Sequence, residues 1–170
     1  IVGRPNVGKS TLFNRLAGRR LAIVEDLPGT TRDRLNFDVS WQDRDMTLVD
    51  TGGFEPQPGS ELVKQVKEQV ETAVQEADVI IFLVDGREGL VATDLDVADW
   101  LRRSGKPVVL AVNKVDNQRG TVSVADFYPF GLGDPIPISA YHDRGIDQLL
   151  DRVVALLPAP AVAPKLPEMM

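Results

Sequence analysis

The sequence contains no cysteine and only one histidine, His142, and these absences exclude two kinds of site. A chain without thiols forms neither a disulfide framework nor a thiolate metal centre, and a single imidazole does not build a zinc site unaided. Long apolar runs are also missing. The longest, Val79 to Val84, is far shorter than the roughly 20 residues of a membrane-spanning helix, and no signal segment opens the chain. We expect a cytoplasmic protein with no membrane partner.

Positive charge is also in short supply. The chain has 19 Lys and Arg residues against 25 Asp and Glu residues, a formal net charge of -6. Tight binding to a phosphate backbone usually requires a concentrated basic face, so we expect no strong direct nucleic-acid binding by this chain. Its 170 residues, 43% of them hydrophobic, suffice for one well-formed core and predict a single domain.

The pattern of apolar residues predicts a layered α/β fold. Continuous apolar runs predict three buried strands, Val79 to Val84, Val108 to Val112 and Ile136 to Ile138. Alternation over Leu35 to Trp41, followed after residues 42–45 by a second run from Met46 to Val49, predicts an antiparallel hairpin. Together they indicate a three-layer α/β sandwich whose mainly parallel sheet carries one antiparallel edge.

Helical spacing of apolar residues predicts four helices between these strands, over Thr11 to Leu16, 63–77, 93–103 and Ile146 to Leu157. In the third helix, Leu95, Ala98 and Leu101 are expected to point inward. The polar side of residues 61–76 is expected to be a solvated helix face, the alternative being a surface that contacts partners. Trp41 and Trp100 are expected to pack, and His142 to be an exposed polar residue.

The two ends of the chain suggest a longer protein. The chain begins with Ile1 rather than Met, so the strand before the first loop is expected to start earlier. Residues 158–170 are too proline-rich to continue the last helix and suit an extended linker. We expect a domain over residues 1–157 and a linker over 158–170 that leads to a second domain.

Residues 3–10, GRPNVGKS, match the phosphate-binding loop pattern G-x-x-x-x-G-K-[ST] between strand-like residues and a helix. The glycines let backbone N–H groups curl around phosphate oxygens. Lys9 supplies a point charge to the terminal phosphates, and the Ser10 hydroxyl is suited to Mg²⁺. The nucleotide-binding residues predicted from this loop are Gly3, Asn6, Val7, Gly8, Lys9, Ser10 and Thr11.

A second motif, DTGG at residues 50–53, follows the second strand of the hairpin. Asp50 therefore lies at the carboxyl end of a sheet strand, where α/β folds gather ligands. It is placed to support the magnesium shell through water, and Gly53 can offer its backbone N–H to a terminal phosphate. Alone, this motif would be read as a turn.

The third motif, NKVD at residues 113–116, begins where the strand Val108 to Val112 ends. The Asp116 carboxylate can accept two hydrogen bonds from the N1–H and 2-amino edge of guanine, a donor pair that adenine lacks. Asn113, Lys114 and Asp116 are therefore predicted to bind the base and to select GTP or GDP. A P-loop ATPase or kinase would not need this motif.

The order of the three motifs resembles that of the Ras-like GTPases. By that resemblance, Ser139 and Ala140 support the guanine ring through their backbone, and Thr31 in the first switch is a second protein ligand of Mg²⁺. The implied fold is the P-loop GTPase sandwich. The implied catalytic residues are Lys9, Thr31 and Gly53.

Four stretches narrow the resemblance to the first GTPase domain of the EngA (Der) family: residues 3–14, 28–33, 50–53 and 131–140. The resemblance covers residues 1–157. Members of that family carry two GTPase domains in tandem and a KH-like domain, and they act in maturation of the large ribosomal subunit. It implies a Mg²⁺-dependent GTP-hydrolysing switch, with those domains and that subunit as partners.

One residue departs from the Ras pattern. Phe54 stands where classical Ras-like enzymes place a glutamine that orients water, and its side chain has no hydrogen-bonding group. An alternative is therefore a nucleotide-sensing module that barely hydrolyses GTP. In GTPases that resemble this group, an Asn at the place of Asn6 goes with K⁺ binding, so K⁺ is a further expected cofactor beside GTP or GDP and Mg²⁺. Asn6 is then a metal ligand together with Ser10, Thr31 and Asp50.

Overall fold

The structure is a computed structural model, and it describes residues 1–4, 7–18, 35–50, 62–89, 91–114 and 124–158. Within these ranges the helices are α1 (Lys9–Ala17), α2 (Leu62–Glu76), α3 (Ala92–Ser104) and α4 (Ile146–Leu156). The strands are β1 (Leu35–Trp41), β2 (Arg44–Asp50), β3 (Ile80–Asp85), β4 (Val108–Asn113) and β5 (Ile136–Pro137). None of the described helices is long and apolar enough to cross a bilayer.

The centre of the fold is a parallel sheet of β3, β4 and β5 in that order. Asp85, the last residue of β3, pairs with Asn113, the last residue of β4. All six residues of β3 are buried, as the continuous apolar run predicted for a strand covered on both faces. The pairing brings two polar residues together at the carboxyl edge of the sheet.

β1 and β2 form an antiparallel hairpin that joins the parallel sheet through the start of the chain. The amino group of Ile1 donates to the Val49 carbonyl at 2.7 Å. Val2 forms a parallel bridge with Phe82. The Val2 amide donates to the Ile81 carbonyl and the Val2 carbonyl accepts from the Leu83 amide, both at 2.9 Å. Residues 1 and 2 therefore lie between β2 and β3 and connect the hairpin to the central sheet, as the predicted antiparallel edge requires.

Two apolar cores lie on opposite faces of this sheet. The first contains α1, α4 and part of the hairpin, with buried residues including Phe13, Ile81, Val109 and Leu150. The second contains α2 and α3, with buried residues including Val70, Phe82, Leu101 and Val112. Alternate residues of β3 and β4 thus point to different cores, and the predicted three-layer arrangement is confirmed.

Two local expectations need correction, and one further element was not expected. The hairpin turn contains only Gln42 and Asp43, whose φ angles of 52° and 63° form the left-handed two-residue turn that matches strand twist. β2 therefore begins earlier than predicted. In α3, Leu95 is 41% exposed and Asp94 is buried instead, because Asp94 has an ionic partner inside the fold. A short 3₁₀ helix, Val124–Phe130, was not predicted.

Two glycines that end helices offer a matched test of backbone conformation. Gly105 after α3 has a φ of +77°, and a Cβ there would meet no atom within 4 Å. Gly105→Ala should therefore lower the free energy of unfolding by about 1 kcal/mol through strain alone. Gly18 after α1 has a φ of -66°, so Gly18→Ala should leave that free energy unchanged or raise it. Urea denaturation measures both, and equal losses would contradict the conformational explanation.

Candidate functional site

The predicted site residues gather at the carboxyl ends of the strands. Asp50 ends β2 and Asn113 ends β4, while Ser139 follows β5 after one intervening residue. Asp85, which was not predicted as a site residue, ends β3. Helix α1 begins at the same edge with Lys9. Ligands bind at this edge of open α/β sheets because loops and helix N-termini meet there.

The side-chain amide of Asn113 connects two of the predicted loops. Its Nδ2 atom donates to the Val7 carbonyl at 2.8 Å, and its Oδ1 atom accepts from the Ala140 amide at 3.0 Å. All three residues are buried. Buried backbone groups require partners, so this amide satisfies two of them and fixes the phosphate loop against the segment after β5.

Close backbone approach explains both glycines of the phosphate loop. A Cβ on Gly3 would lie 2.6 Å from the Leu83 carbonyl oxygen. A Cβ on Gly8 would lie 2.1 Å from Nδ2 of Asn113, and the φ of Gly8 is +105°. Gly8 is therefore required twice, by its conformation and by the space that the Asn113 amide occupies.

Lys9 is a buried cation at the start of α1, with 8% of its surface exposed. Burial lowers the pKa of its ammonium group, and the negative charge of Asp50 opposes that change. Its Nζ atom donates to Oε1 of Gln69 at 3.1 Å, and the Gly3 amide donates to the same oxygen at 3.3 Å. A residue of α2 therefore contacts the phosphate loop directly.

The donor set at this edge fits Mg²⁺ bound together with phosphate. Ser10 is exposed at the start of α1, and Asp50 is 1% exposed; both supply the hard oxygen donors that Mg²⁺ prefers. Among the described residues, no cluster of three or more His, Cys, Asp or Glu side chains could hold a metal alone. A magnesium ion here would thus need phosphate and water oxygens as well.

Lys114 forms an ion pair with a carboxylate from the neighbouring strand. Its Nζ atom lies 2.9 Å from Oδ2 of Asp85, while the other oxygen of Asp85 accepts from the Arg87 amide at 2.7 Å. Lys114 has a φ of +68°, an uncommon conformation for a residue with a side chain. The carbonyl of Asn113 also accepts from the Gly86 amide at 2.8 Å.

Ser139 and Ala140 are both buried and lie in a tight loop. Ser139 exchanges two backbone hydrogen bonds with Arg144, of 2.9 and 3.0 Å, and its hydroxyl accepts from the His142 amide at 3.3 Å. Arg15 of α1 donates to the Ala140 carbonyl at 2.7 Å. The loop is therefore fixed by α1 as well as by the strand edge.

Arg4 of the phosphate loop points into the protein. Its Nε and Nη2 atoms donate to the two carboxylate oxygens of Asp94 at 2.8 and 3.2 Å, and Nη2 also lies 2.5 Å from Glu88. Burial raises the pKa of the Asp94 carboxyl, and the Arg4 guanidinium opposes that rise. Such an ion pair needs good geometry to offset desolvation, and the two-pronged contact supplies it.

The structure thus brings together ten of the predicted site residues at one edge: Gly3, Val7, Gly8, Lys9, Ser10, Thr11, Asp50, Asn113, Ser139 and Ala140, with Lys114 beside them. Asn6, Thr31, Gly53 and Asp116 lie outside the described residues, as does Phe54. Their predicted roles remain predictions.

The sequence pattern places Gln69 on a solvated face and misses its contacts, whereas the structure has it only 7% exposed. Helical spacing could have found it, because Gln69 lies three residues after buried Val66 and four before buried Ala73. Asp94 gave no comparable signal. Its burial depends on Arg4, a partner 90 residues away.

Known proteins match this chain over most of its length. A family model described as 50S ribosome-binding GTPase matches residues 1–114. The GTPase Der of Chloroflexus aurantiacus is 57% identical over 164 residues, which cover 93% of this chain and 36% of that protein. The GTPase Der of Myxococcus xanthus is 56% identical over 160 residues, with shares of 93% and 35%. The chain therefore spans about a third of these relatives.

Solved structures have the same fold. Era in complex with MgGDPNP and nucleotides 1506–1542 of 16S ribosomal RNA superposes with a TM-score of 0.70 at 31% identity, over 99% of this chain and 58% of Era. The cytosolic domain of FeoB from L. pneumophila superposes with a TM-score of 0.67 at 26% identity, over 92% of this chain and 68% of that one. The predicted P-loop GTPase sandwich is thereby confirmed.

The double contact of Asn113 makes a prediction about stability. Asn113→Ala should lower the free energy of unfolding by roughly 3 kcal/mol, because the Val7 carbonyl and the Ala140 amide would stay buried without this partner. Chemical denaturation of the chain without nucleotide measures the loss. Asn14→Ala, at an exposed position of α1, is the control and should change little. A loss at Asn113 no larger than the control would contradict the connecting role.

Proposed function

The chain belongs to the family of 50S ribosome-binding GTPases and carries a GTPase domain, and from that premise we propose that it binds GTP and hydrolyses it to GDP and phosphate as a Mg²⁺-dependent conformational switch. The resemblance to the EngA (Der) family is confirmed by relatives more than 50% identical. Because the chain spans about a third of those relatives, their activity is proposed here for this domain.

A direct contact between the phosphate loop (residues 3–10) and the base motif (residues 113–116) supports this function most strongly. Nδ2 of Asn113, the first residue of NKVD, donates to Val7 in the phosphate loop at 2.8 Å. One side chain thereby fixes the distance between two loops, each suited to a different part of one ligand. A phosphate loop alone fits many nucleotides, whereas the pair fits a guanine nucleotide.

At the phosphate end of the site, positively charged groups and N–H donors face the expected position of the phosphates. Backbone N–H groups at the start of α1 and the ammonium of Lys9 stabilise charge on the phosphates. Ser10 and Thr31 would ligate Mg²⁺ directly and Asp50 through water, and Gly53 would donate its N–H to the terminal phosphate. The bound ion, when present, offsets negative charge between the phosphates. The ammonium group of Lys9 is desolvated and contacts the neutral amide oxygen of Gln69. A negatively charged phosphate would attract it more strongly than that oxygen does.

The base end selects the nucleotide. Asp116 would accept from N1–H and the 2-amino group of guanine, Lys114 stands two residues before it in the motif, and the backbone of Ser139 and Ala140 would support the ring. Support for this arrangement comes from the burial of Ser139 and Ala140 next to Asn113. ATP lacks the required donor pair and should bind poorly.

Hydrolysis in this domain must proceed without a glutamine at position 54, where Phe54 stands. We propose that K⁺ assists. The Asn6 side chain, carbonyls of residues 28–33 and phosphate oxygens would form a cage of hard oxygens, and a cation there offsets charge that develops during transfer. The alternative is that Asn6 only tightens the loop, with the chain acting as a nucleotide sensor.

The wider role follows from the relatives. We propose that the domain comprises residues 1–157, that the proline-rich residues 158–170 lead to a second GTPase domain and a KH-like domain, and that the whole protein acts in the cytoplasm in maturation of the large ribosomal subunit. Support comes from the 36% share of the Chloroflexus relative that this chain covers and from the family description.

Phosphate release from GTP tests the proposed activity. With Mg²⁺ present, release should be at least several-fold faster in KCl than in NaCl at equal ionic strength, because the smaller Na⁺ fits the proposed cage less well. Asn6→Ala should remove most of that difference and leave GDP binding nearly intact. Absence of release above the slow hydrolysis of free GTP would favour the sensor alternative, and equal rates in both salts would refute the cation site.

Substitution at Asp116 tests base recognition. Asp116→Asn should weaken GTP binding by about 100-fold or more and shift preference toward xanthosine nucleotides, whose 2-oxo group accepts where guanine donates. Titration with fluorescent nucleotides of both bases measures the shift. Asp126→Asn, at an exposed position of the 3₁₀ helix, is the matched control. Unchanged GTP affinity in Asp116→Asn would rule out the assigned role.

A further inference from the structure

A segment that contains none of the predicted nucleotide motifs contacts two of them through carboxylates. We call it the acidic segment, defined by Asp85 at the end of β3, Glu88 in the following turn and Asp94 in the first turn of α3. Asp94 and Glu88 accept hydrogen bonds from Arg4, and Asp85 accepts one from Lys114. One partner belongs to the phosphate loop, the other to the base motif.

At the phosphate loop, the contact is buried and two-pronged. The Asp94 side chain is fully buried and the Arg4 side chain is 10% exposed. Two parallel N–H···O contacts fix both the distance and the plane of the guanidinium. Arg4 also contacts Glu88, so its side chain donates to two residues of the acidic segment. Its effect on phosphates would therefore pass through the backbone position of the loop.

The acidic segment contacts the base motif through one side chain and one backbone amide. Oδ2 of Asp85 lies 2.9 Å from Nζ of Lys114, and the Gly86 amide donates to the Asn113 carbonyl at 2.8 Å. The ion pair is partly shielded from water, because the Asp85 side chain is 8% exposed and that of Lys114 is 31% exposed. Shielding strengthens the attraction relative to a surface pair.

We propose that the acidic segment positions both nucleotide-binding loops, with Asp85 orienting Lys114 at the base and Asp94 fixing the phosphate loop through Arg4. The inference rests on the proposed guanine-nucleotide binding, since the two loops act together only on such a ligand. Asp85 and Asp94 are positioning residues. Their side chains accept hydrogen bonds from Lys114 and Arg4, through which they would act on nucleotide binding.

The base end is tested by a double-mutant cycle on the whole chain with fluorescent GDP and GTP. Asp85→Asn should weaken both nucleotides by the same factor, roughly tenfold, because the base is common to them. Lys114→Met should weaken binding at least as much, and the double variant should bind no worse than Lys114→Met alone. Asp96→Asn, exposed on α3, is the control and should bind as the wild type does. Additive losses, or a loss equal to the control, would overturn the assignment of Asp85.

The phosphate end needs a variant that keeps the fold. Asp94→Asn alone leaves the buried guanidinium of Arg4 with the half-exposed Glu88 as its remaining anionic partner and can unfold the chain, whereas Arg4→Gln with Asp94→Asn leaves two amides and no buried charge at this pair. This double variant should show a wild-type circular dichroism spectrum yet bind GDP roughly tenfold more weakly. Wild-type GDP affinity in the folded double variant would overturn the positioning role.

The measurements distinguish failure of the proposed function from failure of the positioning role. If the wild-type chain binds no guanine nucleotide, the proposed function fails and this inference fails with it. If the wild type binds GDP and the variants at Asp85 and Asp94 match Asp96→Asn, only the positioning role is overturned. Selective loss at Asp85 and in the Arg4 and Asp94 pair supports both.

Discussion

The hydrogen bonds of one buried amide, that of Asn113, determine how the parts of the site are arranged. It donates to Val7 and accepts from Ala140, so three segments that are distant in sequence meet around a single side chain. Neither serine nor aspartate could replace it, because the position requires a donor and an acceptor at opposite ends of one rigid group. Gly8 completes the arrangement, since any larger residue would occupy the space of the amide. The spacing of the loops is therefore set by hydrogen bonds and packing within the protein.

Much of this arrangement could be predicted because it depends on local patterns. The apolar runs of β3 and β4 identify strands buried on both faces, and polar residues directly after such runs must lie at the carboxyl edge of a parallel sheet. The phosphate loop and NKVD could be placed on that reasoning, and the structure confirms the positions of Lys9 and Asn113 at the edge. The predicted family and GTPase activity class agree with the known relatives.

What could not be predicted depends on partners distant in sequence. Asp94 is buried and Leu95 exposed, the reverse of what apolarity favours, because the cost of burying a carboxylate is offset by Arg4 across the fold. Gln69 is polar, yet it lies inward because two donors of the phosphate loop meet its carbonyl oxygen. Chemical type alone assigns both residues to the surface. Only the tertiary contacts reverse that assignment.

The far end of the sheet has a mechanical consequence. Trp41 and Gln42 at the hairpin tip both donate to Asp151 on α4, and Arg44 donates to the Pro158 carbonyl at 2.6 Å. A tensile load applied to the chain beyond Pro158 would thus be shared between α4 and the hairpin. It would enter the domain at the end of β2 opposite Asp50, and the strands would transmit it lengthwise.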